Sequence, residues 1–295
     1  LLNLTQQNIK IHVMLIVLKR DYGQLGNRLH THVNLVAWCV ENKFNYINLS
    51  FKYLTTSFEN KRFPAYKSIN NIFLTILFKF AFIEIILEKF ALSEKWLKRL
   101  DFFFHYQKCE DHTSIDEYRL NKLIKLDKRK IFVIKAWNLN CSDSLKKHGD
   151  IVKYIFRPNR LISNFIESYI RSLPYHDYTV GVHARRGDYK IWENGKYFYS
   201  WDQYSCWISE LSNILTLKGK VPLFLICSDE KVPNFIKREN HCIIPNQNAI
   251  IELYLLANCD LIVGPPSSYG TWAQFYKNNK RICLKSKDVN IEDYL

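Results

Sequence analysis

Short apolar runs alternate with amphipathic stretches through the second half of the chain. Tyr178–Ala184 (YTVGVHA), Val221–Cys227 (VPLFLIC), His241–Ile244, Asp260–Val263 (DLIV) and Arg281–Leu284 have the length and composition of buried strands. Between them, residues 202–217, 231–238, 248–258 and 267–277 read as helices. The segment 248–258 (NAIIELYLLAN) repeats its apolar positions at spacings of three and four. This rhythm predicts βα units and a parallel sheet, the α/β class. The first half opens the same way: a strand at 11–18 (IHVMLIVL), a glycine turn at 23–27, a helix over 28–41 and a strand at 44–49 (FNYINL). The pattern then blurs until Ile131–Ala136. The reading is an N-terminal α/β domain with a helical insertion (1–160) and a C-terminal Rossmann-like domain (161–295).

Residues 68–92 are the most hydrophobic stretch, but Lys79, Glu84 and Glu88 interrupt it, which disfavours a spanning helix. It reads either as a core helix or as a membrane-surface helix flanked by Lys61, Arg62, Lys67, Lys95, Lys98 and Arg99. The run at 11–18 is followed by Lys19-Arg20-Asp21 and no small-residue cleavage site, so it reads as a buried strand rather than a signal peptide.

Of the 295 residues, 47% are hydrophobic and 15% aromatic, enough to build a core and too many for a disordered chain. The net charge is +14, and residues 1–150 carry 24 basic against 14 acidic side chains. Such a balance either serves solubility or attracts a polyanion: nucleic acid, an anionic membrane surface or a phosphorylated small molecule. No zinc finger, RNP signature or basic helix supports nucleic acid. The eight cysteines form no C-x-x-C and no Cys/His cluster with zinc spacing. They read as reduced thiols in a cytoplasmic protein with no metal site.

Ligands of open parallel sheets bind at the carboxyl ends of the strands, so the polar residues following each apolar run are the candidates. Gly23-Gln24-Leu25-Gly26-Asn27 is either a plain strand–helix turn or a close approach to phosphate at a helix start. His183-Ala184-Arg185-Arg186-Gly187-Asp188-Tyr189 is either a structural ion-pair cluster or an anion site in which Arg offers its planar fork. Ser228-Asp229-Glu230 is either a helix cap or a carboxylate for a base or ribose. Gly264-Pro265-Pro266-Ser267-Ser268-Tyr269-Gly270 is either ordinary capping or an anion cradle. Together they suggest a nucleotide-linked substrate.

These motifs occur in the order seen in GDP-fucose-dependent fucosyltransferases. The chain resembles the α-1,2-fucosyltransferases of glycosyltransferase family 11 and, more distantly, the α-1,6- and protein O-fucosyltransferases. His183-x-Arg185-Arg186-Gly187-Asp188-Tyr189 is the specific match; residues 52–130 match nothing. The resemblance implies a GT-B fold, two Rossmann-like domains facing across a cleft, with the N-terminal one on the acceptor side. It implies an inverting, metal-independent transfer of L-fucose from GDP-fucose to a hydroxyl of a glycan or glycolipid acceptor. The basic N-terminal half and the 68–99 stretch in turn suggest attachment to the inner membrane face, where lipid-linked acceptors lie. His183 would contact the nucleotide, Arg185 would neutralise the leaving β-phosphate, Asp229 would read guanine, and Ser267 and Ser268 would bind phosphates. Gly26 and Asn27 would line the cleft from the N-terminal domain. Asp188 or Glu193 would serve as base. Gln24 stands where the family's turn usually has another glycine, and the last motif lacks a Trp-Trp pair. A transferase for another nucleotide sugar and a non-catalytic nucleotide- or glycan-binding module remain as alternatives.

Overall fold

The computed structural model describes residues 15–18, 23–48, 57–59, 104–108, 114–126, 131–136, 138–236, 240–244 and 248–294. The hydrophobic stretch 68–92 with its flanking basic residues, residues 11–14 of the first predicted strand, and most of the 52–130 insertion lie outside them. Among the described residues no helix is long and apolar enough to cross a membrane. The described cysteines are all free.

The chain divides into two compact units. One holds residues 1–22, 30–55 and 60–156; the other holds 23–29, 56–59 and 157–295. The sequence reading put the division at residue 160 and left the 23–27 turn with the first domain. By contacts, that turn belongs to the second unit.

The first unit contains a parallel sheet of β1 (Leu15–Leu18), β2 (Asn45–Asn48), β3 (Phe104–Lys108) and β5 (Ile131–Lys135), in the order β2-β1-β5-β3. β4 (Ser114–Asp116) and β6 (Asn138–Asn140) pair separately. Helix α1 (Leu25–Asn42) buries Val33, Val36, Ala37 and Trp38. The Trp38 indole donates to Asn121 Oδ1 (2.8 Å) on α2 (Glu117–Leu126), and Asn34 Oδ1 accepts from the Cys141 amide ahead of α3 (Ser142–Ile155). The two amides satisfy donors that burial would otherwise strand.

The second unit follows the predicted rhythm. After α4 (Arg160–Arg171) come β7 (Tyr178–Ala184), α5 (Trp201–Leu217), β8 (Pro222–Ser228) and β9 (His241–Ile243). α6 (Ala249–Ala257), β10 (Leu261–Gly264), α7 (Ser268–Lys277) and β11 (Lys280–Cys283) complete it. All five strands are parallel, in the order β11-β10-β7-β8-β9. Parallel strands covered on both faces need continuous apolar runs rather than alternation, and β7, β8 and β10 have them. On one side Val180, Val182, Phe224, Ile226 and Val263 pack on Tyr204, Trp207, Ile208 and Leu211 of α5. Side-chain caps start the helices: Ser200 accepts from the Gln203 amide (3.1 Å), Asn248 from Ile250 (2.8 Å) and Ser267 from Gly270 (3.0 Å).

Candidate functional site

In strand order the second sheet reverses direction between β7 and β10. That is the switch point at which open α/β sheets take their ligands, outside the strands' carboxyl ends. His183 and Ala184 close β7 there, and Gly264 closes β10. The two ends are in close contact: a Cβ on Gly264 would lie 2.6 Å from the His183 carbonyl oxygen. The His183 ring stacks on Tyr269 (5.0 Å between centroids), with Nδ1 at 3.4 Å from Ser267 Oγ. Only 5% of His183 is exposed. Burial, helped by the charges of Arg185 and Arg281, pushes its pKa down to about 3. It is a neutral hydrogen-bonding group at physiological pH, not a cation.

Beyond Ala184 the chain turns sharply, and Asp229 at the end of β8 holds the turn. Its two carboxylate oxygens accept from the amides of Arg186 (2.8 Å) and Gly187 (3.0 Å). The same carboxylate pairs with the Arg185 guanidinium at 3.1 Å. Gly187 leaves room for this carboxylate: a Cβ there would meet Asp229 Oδ2 at 2.9 Å. Arg185 also donates to Asp188 Oδ1 (2.8 Å) and to Gln24 Oε1 (2.6 Å). Burial alone would lower its pKa, but bonding to Asp188 and the charge of Asp229 outweigh that and hold the guanidinium firmly charged. Arg186 points the other way. It donates to Glu230 (2.9 Å) and to the Tyr199 carbonyl, and lies over the rings of Phe198 and Trp201. Lys190 closes the group on Glu230 at 2.6 Å. Adjacent arginines thus divide their work: Arg186 anchors the turn, and Arg185 is held at the switch point.

The glycine turn meets the other side of this site. Gly23 has a left-handed backbone (φ 65°), which permits the tight entry into α1. Gly26 lies against the first turn of α7; a Cβ there would sit 2.6 Å from the Tyr269 amide nitrogen and 2.7 Å from Ser268 Oγ. Ser268 donates to Asn27 Oδ1 at 2.7 Å. The missing Cβ of Gly26 therefore serves contact between backbones. Gln24 supplies the amide oxygen that Arg185 uses.

Arg185, His183, Asp188, Asp229, Gly26, Asn27, Ser267 and Ser268 all come together in this unit. Glu193 lies apart, in a 3-10 turn (Trp192–Gly195), and its exposed side chain has no hydrogen bond or ion pair among the described residues. Glu193, Asn194 and Gly195 are all left-handed (φ 50°, 55° and 74°). Two of the expected binding groups have partners within the protein. Asp229, expected at a base edge, spends most of its acceptor capacity on the 185–187 turn. Ser267 and Ser268 are engaged as a helix cap and a partner of Asn27.

Two residues escaped the sequence reading. Glu252 on α6 is half-buried, and burial raises its pKa. Cys227 Sγ donates to one carboxylate oxygen (3.4 Å), while the other is buried without a partner. A lone carboxylate inside the otherwise apolar run AIIELYLLA is the signal that could have found it. Arg281 on β11 donates to Thr271 Oγ1 (2.8 Å) and to the Pro265 carbonyl (3.0 Å) beside the first turn of α7. An arginine at the start of a short edge strand carries no local signal. Among the described residues no group of three His, Cys, Asp or Glu side chains is placed to hold a metal.

No protein-family model and no curated protein sequence matches the chain. Solved structures do. A mutant of Arabidopsis thaliana FUT1 in complex with GDP is 14% identical over 92% of this chain and 70% of its own, with a TM-score of 0.56. POFUT1 in complex with GDP is 11% identical over 91% and 96%, at 0.57. The α-1,6-fucosyltransferase NodZ, soaked with GDP-fucose, is 14% identical over 89% and 92%, at 0.51. At such identities the likeness establishes the fold: α/β with Rossmann-like parallel sheets, the GT-B class.

Proposed function

We propose that the chain is an inverting fucosyltransferase that moves L-fucose from GDP-fucose to a hydroxyl of a glycan acceptor. One observation carries this reading: a charged Arg185 is fixed at the switch point, beside the capped start of α7, in a fold shared with fucosyltransferases crystallised with GDP. In the transfer, the bond from fucose C1 to the β-phosphate oxygen breaks and the acceptor oxygen bonds to C1. The acceptor proton passes to a base, and negative charge builds on the leaving diphosphate. Arg185 is preorganised for that charge by Asp188, Asp229 and Gln24, so it favours the transition state over the ground state. The amides at the start of α7 add a second donor set. Neutral His183 hydrogen-bonds without repelling Arg185. Glu252, with its spare buried oxygen, suits the paired N–H donors of guanine better than Asp229 does.

Of the two base candidates, Asp188 is engaged by Arg185, while Glu193 keeps both oxygens available on a loop held in a left-handed conformation. Glu193 is the freer of the two candidates for the base. Arginine and helix amides take the part a metal plays in other transferases, so activity should survive EDTA. The α-1,2 linkage and a surface polysaccharide or glycolipid acceptor rest on the sequence resemblance.

Calorimetric titration with GDP, UDP and ADP tests the donor. GDP should bind best, Arg185→Ala should weaken it, and the turnover of GDP-fucose by that variant should fall about 10²–10³-fold. Equal binding of all three nucleotides would defeat the assignment.

A further inference from the structure

The arginine-rich turn, for all its charge, is electrically balanced. Arg185 pairs with Asp188 and Asp229, and Arg186 and Lys190 pair with Glu230. Three cations face three carboxylates, so the turn offers direction and hydrogen bonds but little net attraction for a dianion.

Arg281 stands outside that balance. Among the described residues no carboxylate lies within ion-pair distance of it. Its partners are a hydroxyl and a carbonyl, and its Nε–H is buried with no acceptor. Its position is unfavourable three times over. The cation is largely withdrawn from water, one donor is unsatisfied, and the charge sits at the helix end where the backbone dipole is already positive. Room has been made for it nonetheless: a Cβ on Gly270 would come within 2.9 Å of the guanidinium. Its charge reaches the site, since it is among the causes that depress the His183 pKa.

We propose that Arg281 is an electrostatic positioning residue, which supplies the uncompensated positive charge that draws a diphosphate to the start of α7. It acts through the field and through the Pro265–Thr271 turn that it ties together. This rests on the donor reading for the identity of the ligand, but not for its charge.

The test uses the full chain, with GDP, guanosine and inorganic pyrophosphate as separate probes, at low and at physiological salt. Arg281→Gln should weaken GDP and pyrophosphate about tenfold or more, as expected for one lost charge-assisted interaction. It should leave guanosine within twofold and flatten the salt dependence of GDP binding. Arg281→Lys, which keeps the charge but not the fork, should retain most of the affinity. Thermal melts of both variants establish that they fold. Wild-type affinity for GDP and pyrophosphate in Arg281→Gln would overturn the proposal. So would equal losses for guanosine and GDP in both variants, the signature of a purely structural clamp. If the wild type ignores the base but binds pyrophosphate through Arg281, the donor reading fails and this inference stands. If it binds neither, both fall.

Discussion

Replacing Asp229 with alanine separates two roles that a carboxylate at the end of β8 can play. In the structure it accepts from the amides of Arg186 and Gly187 and pairs with Arg185. A hydrogen bond to a charged acceptor contributes about 1.5–3 kcal/mol, and the partial exposure of this turn argues for the lower end. Two such bonds give about 3 kcal/mol. The ion pair, between side chains 18% and 25% exposed, adds at most about 1 kcal/mol at such a site. At about 2–4 °C per kcal/mol for a unit of this size, the resulting loss of about 3–4 kcal/mol in Asp229→Ala should lower the melting temperature of the second unit by about 6–16 °C. The Arg185 guanidinium also loses one of its two carboxylate partners, so GDP affinity should fall, while the preference for GDP over UDP survives. Asp229→Asn, which keeps one acceptor oxygen, should show about half the loss. Differential scanning calorimetry with nucleotide titrations reads both quantities. A variant that melts within about 1 °C of wild type and no longer distinguishes GDP from UDP would refute the reasoning and return Asp229 to the base edge.

Other changes have equally definite outcomes. Gly26→Ala should destabilise by about 1–3 kcal/mol, seen as a lower denaturation midpoint, because the new methyl can avoid the Tyr269 amide only by moving backbone. Ser267→Ala should cost about 1 kcal/mol through loss of the α7 cap, with Ser267→Asp restoring it in denaturant titrations. Glu252→Gln should reduce discrimination between GDP and UDP in competition binding while leaving pyrophosphate affinity unchanged. The pH dependence follows from His183 and His32, both pushed down to about 3 by burial. Between their ordinary value near 6.5 and about 3 the unfolded chain binds protons that the folded chain refuses. Stability therefore falls as pH drops through that window, by up to about 1.4 kcal/mol per pH unit for each histidine. Urea midpoints between pH 7 and 5 should show it, and His183→Gln should flatten the profile of the second unit.

The strands of the second unit were legible because parallel strands buried on both faces must be continuous apolar runs, as Tyr178–Ala184 is. The helix at 248–258 was legible from its apolar spacing, and the start of α7 from the capping serines of the 264–270 turn. The first unit was harder. β3 (FHYQK) and β6 (NLN) do alternate apolar and polar positions but are too short and too polar to stand out, and α3 and α4 fall outside the apolar runs singled out in the sequence. At the site, residue types following each strand singled out residues that do come together, but roles depend on partners far along the chain. That Asp229 is used by the amides of Arg186 and Gly187, or that Gly26 makes room for Tyr269, is a fact of three dimensions with no local trace. Arg281 was invisible for the same reason, since nothing in LysArgIleCys announces which helix end its side chain reaches.

The hydrogen bond from Ser268 to Asn27 joins residues 241 apart in sequence, and it belongs to a unit whose other residues lie almost wholly beyond Arg157. A ribosome adds about 5–20 residues per second. The seven residues 23–29 therefore emerge roughly 12–50 seconds before their partners on α7 exist. Until then Gln24, Gly26 and Asn27 await Arg185, Tyr269 and Ser268, and the second unit can close only after nearly the whole chain has been made. A fragment beginning at Arg157 would never close it, because the piece that completes the arginine turn is the one synthesised first.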